Sequence, residues 1–291
     1  MFQKIIGDSL YSKFADNLDI HNYISSKIKE KRAGYYEHID DEKIGTSWTN
    51  FVDFKGSMNE LIYGCKEKNL YYLDNLKDLK CEDNNLDSVF FDIEGFAFEI
   101  GSVVEGVPED CLNFNSFGIK PKINIISSYS FPWNTDEEKI KMRGVAIMNL
   151  INTLLSRGYI VNFKIVEIYH HDCSFKVKGQ NLNKSIFELD IPLDVLSMSK
   201  FCFYNSVEFF RVIMILLHSI LIDRPQEAGE GVGVKSYEEI FELYGKETFY
   251  IPNGYIDENF GKMETQKEFD NYIMNLFNNF CKGKENVFSS L

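Results

Sequence analysis

Two acidic turns contain the side chains that are best suited to metal binding or acid–base chemistry. Asp92 and Glu94 precede a glycine, and Glu109 and Asp110 follow the segment Gly106–Pro108. Paired carboxylates bind divalent cations through their oxygens, or they act as a general acid and base. Surface turns also collect Asp, Glu, Gly and Pro, because these residues suit tight turns and solvent. The pattern leaves both interpretations open, a divalent-metal site and ordinary turns.

Arg143 is the basic residue that we expect to interact with this acidic cluster. It precedes Gly144 near the start of a predicted helix. Its guanidinium could reach an anion, or it could form an ion pair with Glu109 or Asp110. Gly144 costs a helix about 1 kcal/mol relative to alanine, so its presence predicts a close packing contact.

A serine-rich turn is the second candidate site. Ser127, Ser128 and Ser130 follow the apolar run Ile123–Ile126, which predicts a buried strand. Sites of α/β folds usually lie where strands end, at the carboxyl edge of the sheet. The three serines are therefore candidate site residues at that edge.

Two further segments contain residue types that are found in metal or dinucleotide sites, but their position or spacing does not fit such a site. His170 to Cys173 include three metal-ligand types, but adjacent residues of an extended chain point to opposite sides, so a polar loop is predicted. Gly229–Gly233 is glycine-rich but follows a helix, whereas a dinucleotide-binding fingerprint follows a strand. We therefore predict no metal and no cofactor.

A β–α–β unit over residues 122–168 is the strongest structural signal. An apolar run and the serine turn lead into a helix that begins at a Thr135–Glu138 capping box and ends at Gly158. A second β-rich run, Ile160–Ile168, follows. Two strands joined by one helix in this way must be parallel.

The spacing of apolar residues elsewhere predicts the remaining elements. They are helices over 1–33 and 56–79, a strand from 89, a strand at 186–191, helices at 206–222 and 237–243, a strand at 248–251 and a helix from about 264. This order predicts an α/β fold. An N-terminal α+β portion (1–115) packs against a C-terminal Rossmann-like layered domain (116–291), or the two form one continuous globular unit.

Composition and charge exclude several classes of protein. Of the 291 residues, 44% are hydrophobic and 26% are charged, which is typical of a packed globular protein. The formal charge of −13 repels phosphate backbones, so nucleic acid is not an expected partner. The scattered cysteines predict neither a zinc ribbon nor a disulfide scaffold, and the N-terminus lacks a signal-peptide pattern. We expect a soluble, reduced, intracellular protein with no membrane partner.

The turn Ile126–Ser130 resembles the first metal-site loop of von Willebrand factor A domains, whose pattern is Asp-x-Ser-x-Ser. Ser128 and Ser130 match that pattern, but Ile126 stands where the aspartate belongs. A divalent cation needs such a carboxylate, so the resemblance implies a fold over roughly 117–281 without a metal at this loop.

Segments between residues 47 and 168 together resemble an uncharacterised family of bacteriophage proteins. The matching positions are Ser47-Trp48, Asp92–Gly95, Gly106–Glu109, Arg143–Leu150 and Gly158. The resemblance implies a phage or prophage gene product in the cytoplasm of a bacterial host cell, and it implies no established activity.

The leading functional hypothesis is a non-catalytic accessory protein that binds a host or viral protein, because no nucleophile, phosphate or dinucleotide motif is complete. A second hypothesis is a divalent-metal-dependent enzyme that acts on nucleotides or nucleic acid through Asp92, Glu94 and Glu109. A third is an acidic nucleic-acid mimic that inhibits a host defence system, which requires carboxylates along one face.

Overall fold

A computed structural model of the chain shows a mixed sheet with helices, which confirms the predicted α/β fold. The described residues are 1–29, 54–64, 71–72, 74–76, 122–131, 135–191, 193, 198–206, 208–214, 216–217, 220, 236–254 and 256–288. No helix within these ranges combines the length and the apolar character that a membrane crossing requires.

The sheet contains six strands within the described ranges. They are β1 (Phe2–Ile6), β2 (Ser9–Phe14), β3 (Lys122–Ser127), β4 (Ile160–Val177), β5 (Gln180–Ile191) and β6 (Phe249–Ile251). Their order across the sheet is β1-β2-β5-β4-β3-β6. β3 is parallel to β4 and β6, and β2 is parallel to β5, whereas β1–β2 and β4–β5 are antiparallel.

The helices whose bounds are described are α1 (Asn17–Lys29), α2 (Phe54–Tyr63), α3 (Glu137–Ser156), α4 (Met198–Tyr204), α5 (Tyr237–Tyr244) and α6 (Gln266–Phe288). Residues 71–72, 74–75, 216–217 and 220 are helical as well. A π-helical segment, Phe209–Met214, follows α4, and a short 3₁₀ turn, Phe260–Lys262, precedes α6. The predicted helices at 237–243 and from 264, and the predicted strand at 248–251, are confirmed.

The predicted crossover is confirmed, because β3, α3 and β4 follow one another and the two strands pair in parallel from Lys122↔Ile160 onward. α3 ends at Ser156, and Gly158, the residue after the C-cap Arg157, has φ +78°. The Tyr159 N–H donates to the Leu154 carbonyl at 3.0 Å, as in a Schellman C-cap. The start of α3 was predicted wrongly, since its cap is Asp136 rather than Thr135.

The prediction of a helix over residues 1–33 was wrong in its first half. β1 and β2 form a hairpin there, and α1 begins at Asn17. In β2, Leu10 and Phe14 are buried on one face, a period of two residues that is typical of a strand. Gly7, with φ +59°, makes the turn that joins the two strands.

The second predicted strand is longer than expected. β4 continues to Val177 and turns into β5 through Lys178 and Gly179, which both have positive φ, as a two-residue hairpin requires. His170 and His171 therefore lie on a strand, and the prediction of a polar loop there was wrong. Pairing with β5 extends the strand, with a register shift between His170 and Phe175.

Two helix predictions also differ from the structure. A single helix over 56–79 was predicted, whereas α2 ends at Tyr63, where Gly64 adopts φ +76°. Residues 71–72 and 74–75 within the predicted range are helical. The segment predicted as a helix at 206–222 is helical at its described residues 208–214, 216–217 and 220, but Phe209–Met214 is π-helical rather than α-helical, and α4 precedes it.

The main hydrophobic core lies on one face of the sheet. It joins strand residues such as Ile125 and Phe163 to Ile147 of α3 and Phe277 of α6. The opposite face carries a smaller core, where Ile240 of α5 packs with apolar residues of the strands; these are Ile126, Val166, Ile168, Ile186 and Tyr250. The sheet is therefore the middle layer between helices.

The N-terminal and C-terminal portions share this sheet. β1 and β2 belong to the N-terminal portion, and β2 pairs with β5 of the C-terminal portion. The predicted boundary at residues 115–116 lies outside the described residues. The predicted close contact at Gly144 is confirmed, because a Cβ there would lie 2.5 Å from the Cβ of Asn205 and would also meet the Tyr72 hydroxyl.

Candidate functional site

The serine turn lies at the carboxyl edge of the sheet. β3 ends at Ser127, and the parallel strand β6 ends beside it at Ile251, so both strands deliver their following loops to the same edge. The Ser128 N–H donates to the Ile251 carbonyl at 3.2 Å, and the Gly254 N–H donates to the Ser130 carbonyl at 3.0 Å. The two loops are thus hydrogen-bonded to each other.

Arg143 lies directly behind these loops and is 3% exposed. Its Nη2 donates to the Ser127 hydroxyl, to the Ser128 carbonyl and to the Pro252 carbonyl, each at 2.9 Å. The guanidinium carbon lies 5.0 Å from the centre of the Tyr129 ring, which is a favourable cation–π distance. The structure therefore brings Arg143 and the candidate serines together.

Glu167 completes this network, and the sequence reasoning missed it. Its carboxylate accepts hydrogen bonds from the Tyr129 N–H and from the Ser130 hydroxyl, the latter at 2.7 Å. Burial raises the pKa of Glu167 to about 7, although these hydrogen bonds and Arg143 act in the opposite direction. The available signal was an acidic residue at the inward position that follows Phe163 and Ile165 in an apolar strand.

These hydrogen bonds hold the two loops in place. Neither Ser127 nor Ser128 is exposed as a nucleophile. Ser127 and Ser128 are buried. The Ser128 hydroxyl donates to the Val166 carbonyl at 2.7 Å and accepts from the Tyr250 hydroxyl at 3.2 Å. Because both serine hydroxyls already have protein partners, we interpret them as structural. Ile126, at the position of the von Willebrand aspartate, is buried in the smaller core.

A polar cleft of about 440 Å³ opens next to these loops. Its walls come from the loop after β6, from the start of α5 and from the middle of α6. The lining residues are Tyr237, Ile256, Asp257, Glu258, Asn259, Tyr272, Asn275, Leu276 and Asn279. This cleft was not predicted from the sequence, because only the apolar residues of α6 were considered, as the face that packs on the core. The spacing of Tyr272, Asn275 and Asn279 places them on one helix face and could have indicated it.

The other residues predicted as candidate sites either lie outside the described residues or form no metal site within them. Asp92, Glu94, Glu109 and Asp110 lie outside the described residues, so their convergence and their pairing with Arg143 stay predictions. Within the described ranges, no group of three or more His, Cys, Asp or Glu side chains is arranged to hold a metal ion. His170 instead lies 2.8 Å from Glu239, and His171 lies 3.0 Å from the Ser185 hydroxyl.

Comparison with known proteins gives a family and no activity. No curated protein and no solved structure has a significant match to the chain. A family model matches residues 9–273, which is most of the chain. The chain therefore belongs to the family described as "Domain of unknown function (DUF7192)".

Proposed function

We propose that this protein is a non-catalytic accessory protein that binds another protein through an apolar edge of its sheet. The apolar edge consists of Met1, Phe2, Ile6 and Leu18, whose exposed fractions are 44%, 55%, 38% and 54%. Four of the seven large apolar side chains that are exposed within the described residues therefore lie on β1, next to it or at the start of α1, and exposed apolar surface is typical of protein-binding sites. This concentration of exposed apolar residues near one strand is the observation that carries the proposal.

The strand β1 supports the proposal through its backbone. Within the described residues β1 pairs with β2 and with no strand on its other side. An unpaired strand edge offers N–H and C=O groups that can bind an extended segment of another chain. The Met1 amino group lies 3.0 Å from Asp19, so the first turn of α1, with Leu18, lies beside the start of β1. The edge therefore combines hydrogen-bonding groups with apolar side chains.

We assign the edge to an extended segment of a host or viral protein rather than to catalysis. The buried and already hydrogen-bonded serines of the carboxyl edge support a role without a serine nucleophile. The phage or prophage setting in a bacterial host cytoplasm is part of the proposal, and it rests on the resemblance of residues 47–168.

The test compares two matched double variants as baits for affinity capture from bacterial lysate. Phe2→Lys with Ile6→Lys adds two charges to the apolar edge, and lysine on an edge strand opposes strand addition. Leu155→Lys with Ile160→Lys adds the same charge at two other exposed apolar residues, which are 42% and 46% exposed. We expect a partner that the wild type and the control retain and that the edge variant loses.

Two results would count against the proposal. Capture that is equal for all three proteins would show that the edge does not contribute to binding. A concentration-dependent dimer of the wild type in sedimentation experiments, abolished by the edge variant, would assign the edge to a second copy of this chain instead.

A further inference from the structure

The cleft beside the serine loops has the lining of a small binding site. Its volume of about 440 Å³ lies within the range of small-molecule pockets. The carbonyl of Pro252, which precedes its wall, accepts a hydrogen bond from buried Arg143, and Gly254 is bonded to Ser130. The loop that forms one wall is therefore anchored before any ligand binds, which reduces the entropic cost of binding.

The charge of the cleft favours a cation. Asp257 and Glu258 line it, and none of the described lining residues is Lys, Arg or His. Asp257 is 8% exposed, and its Oδ1 accepts a hydrogen bond from the Asn259 N–H at 2.9 Å, so its carboxylate has a fixed orientation. Neither carboxylate forms an ion pair within the described ranges.

Aromatic and apolar side chains surround these carboxylates. Tyr237 and Tyr272 line the cleft, and burial raises the pKa of both hydroxyls. The negative charge of Asp257 adds to this for Tyr237, and a hydrogen bond with the Asp257 carboxylate adds to it for Tyr272, so both rings stay neutral at physiological pH. Neutral aromatic rings attract cations. Ile256 and Leu276 offer contact to an alkyl chain, and Asn275 and Asn279 add amide groups that both donate and accept hydrogen bonds.

We infer that the cleft binds an alkylammonium group, with Asp257 and Glu258 as the carboxylates that receive the charge and the two tyrosines as the walls beside the alkyl chain. A free polyamine and a lysine side chain of a protein both present this chemistry. The cleft lies beside the loop after β6, whereas the apolar edge includes Phe2 and Ile6 of β1. These strands lie at opposite ends of the sheet order, so this site is separate from the apolar edge.

The test is a titration of the whole protein, monitored by nuclear magnetic resonance of side-chain amides. The probes are spermidine and acetyl-Ala-Lys-Ala-amide, and acetyl-Ala-norleucine-Ala-amide is the neutral control. We expect the amides of Asn275 and Asn279 to shift with the charged probes, whereas Asn271, exposed on the same helix, stays unchanged. Binding by spermidine alone would identify a free amine as the source, and binding by the peptide would identify a lysine side chain.

Charge-neutral variants locate the site. Asp257→Asn keeps the oxygen that accepts from Asn259, and we expect it to weaken binding about tenfold. Glu258→Gln, at an exposed position that the fold does not need, should weaken binding about threefold. Glu242→Gln, an exposed change of the same kind on α5 outside the cleft, should leave the dissociation constant unchanged.

Three results would overturn the inference. The first is equal binding of the norleucine peptide, which would show that charge is not recognised. The second is a dissociation constant that neither Asp257→Asn nor Glu258→Gln alters. The third is the absence of shifts at Asn275 and Asn279 for both charged probes up to about 10 mM, which corresponds to negligible affinity.

Discussion

At the scale of single residues, Arg143 connects loops that follow two different strands. It donates to the Ser127 hydroxyl at the end of β3 and to the Pro252 carbonyl just after β6, although 109 positions separate Arg143 from Pro252. A buried guanidinium needs such partners, since an unpaired buried charge is very costly. Its role in the described structure is therefore to position loops, including one wall of the cleft.

Replacing Arg143 by Met should destabilise the fold by about 3–5 kcal/mol, because several buried acceptors lose their donor and Glu167 loses a neighbouring positive charge. Arg143→Lys should destabilise the fold less than Arg143→Met, since an ammonium keeps the positive charge but cannot make the paired hydrogen bonds of a planar guanidinium. Urea denaturation measures the free energy of unfolding of both variants. The control is Lys139→Met, which removes a partly exposed ion pair with Glu264 and a hydrogen bond to the Gly261 carbonyl and should cost no more than about 1 kcal/mol. A similar small loss for Arg143→Met would refute the structural role.

Two buried glutamates should give opposite pH dependence, and Glu188 is the first. Burial raises its pKa, but hydrogen bonds from Lys164, Tyr11, Tyr244 and Lys13 outweigh burial and lower the pKa to about 2. The stabilisation is therefore present above pH 4.5 and is lost as the pH falls toward 2. We expect the stability advantage of the wild type over Glu188→Gln to shrink by up to about 3 kcal/mol over this interval. A constant difference would contradict the assignment.

Glu167 should behave in the reverse sense, because burial raises its pKa to about 7. A carboxyl group with a raised pKa favours folding below its unfolded pKa of 4.5, and this contribution is lost as the pH rises toward 7. Relative to Glu167→Gln, the wild type should therefore lose up to about 3 kcal/mol between pH 4.5 and 7. Thermal denaturation of both proteins across this pH range measures the difference in stability. A difference that stays constant between pH 4.5 and 7 would refute the raised pKa of Glu167.

At the scale of elements, local patterns predicted those parts that are locally determined. The β3–α3–β4 crossover, the C-cap at Gly158, α5, β6 and α6 have clear apolar periods and end signals in the sequence. The three serines lie at the sheet edge where the topology of a crossover predicts them, whereas the contact between Arg143 and Ser127 was not predicted, because Arg143 was expected to interact with the acidic turns.

Elements that depend on distant pairing could not be predicted in the same way. The sequence predicts a helix where β1 and β2 lie, because Ile5, Leu10 and Phe14 also fit a loose helical spacing, and the strand conformation of β2 depends on pairing with the distant strand β5. The extension of β4 beyond Ile168 likewise depends on pairing with β5. Glu167 was missed because an acidic residue in a strand is normally exposed.

Gly144 provides a test of packing between elements. Alanine would gain about 1 kcal/mol of helix propensity, but its Cβ would lie 2.5 Å from that of Asn205. We expect Gly144→Ala to destabilise the protein by about 1–3 kcal/mol through overpacking. Gly261→Ala is the matched control, since a Cβ there meets nothing within 4 Å. Equal stability of the two variants in urea denaturation would show that α3 tolerates a shift away from Asn205.

At the scale of the whole molecule, the sheet order separates two surfaces of different chemistry. β1 presents apolar side chains at one end of the order, and β6 leads into the polar, acidic cleft at the other end. The two proposed binding sites therefore lie at opposite ends of the sheet order. The acidic total charge of −13 agrees with partners that carry positive charge.

The most direct test of the apolar edge as a protein-binding site is site-specific photo-crosslinking in bacterial cells. A photoreactive phenylalanine analogue replaces Phe2 in one protein and Leu155 in another, two exposed apolar positions on β1 and α3. The proposal predicts a discrete adduct with another protein at position 2 and none at position 155. Adducts that are equal at both positions, or an adduct at position 2 with a second copy of this chain, would contradict it.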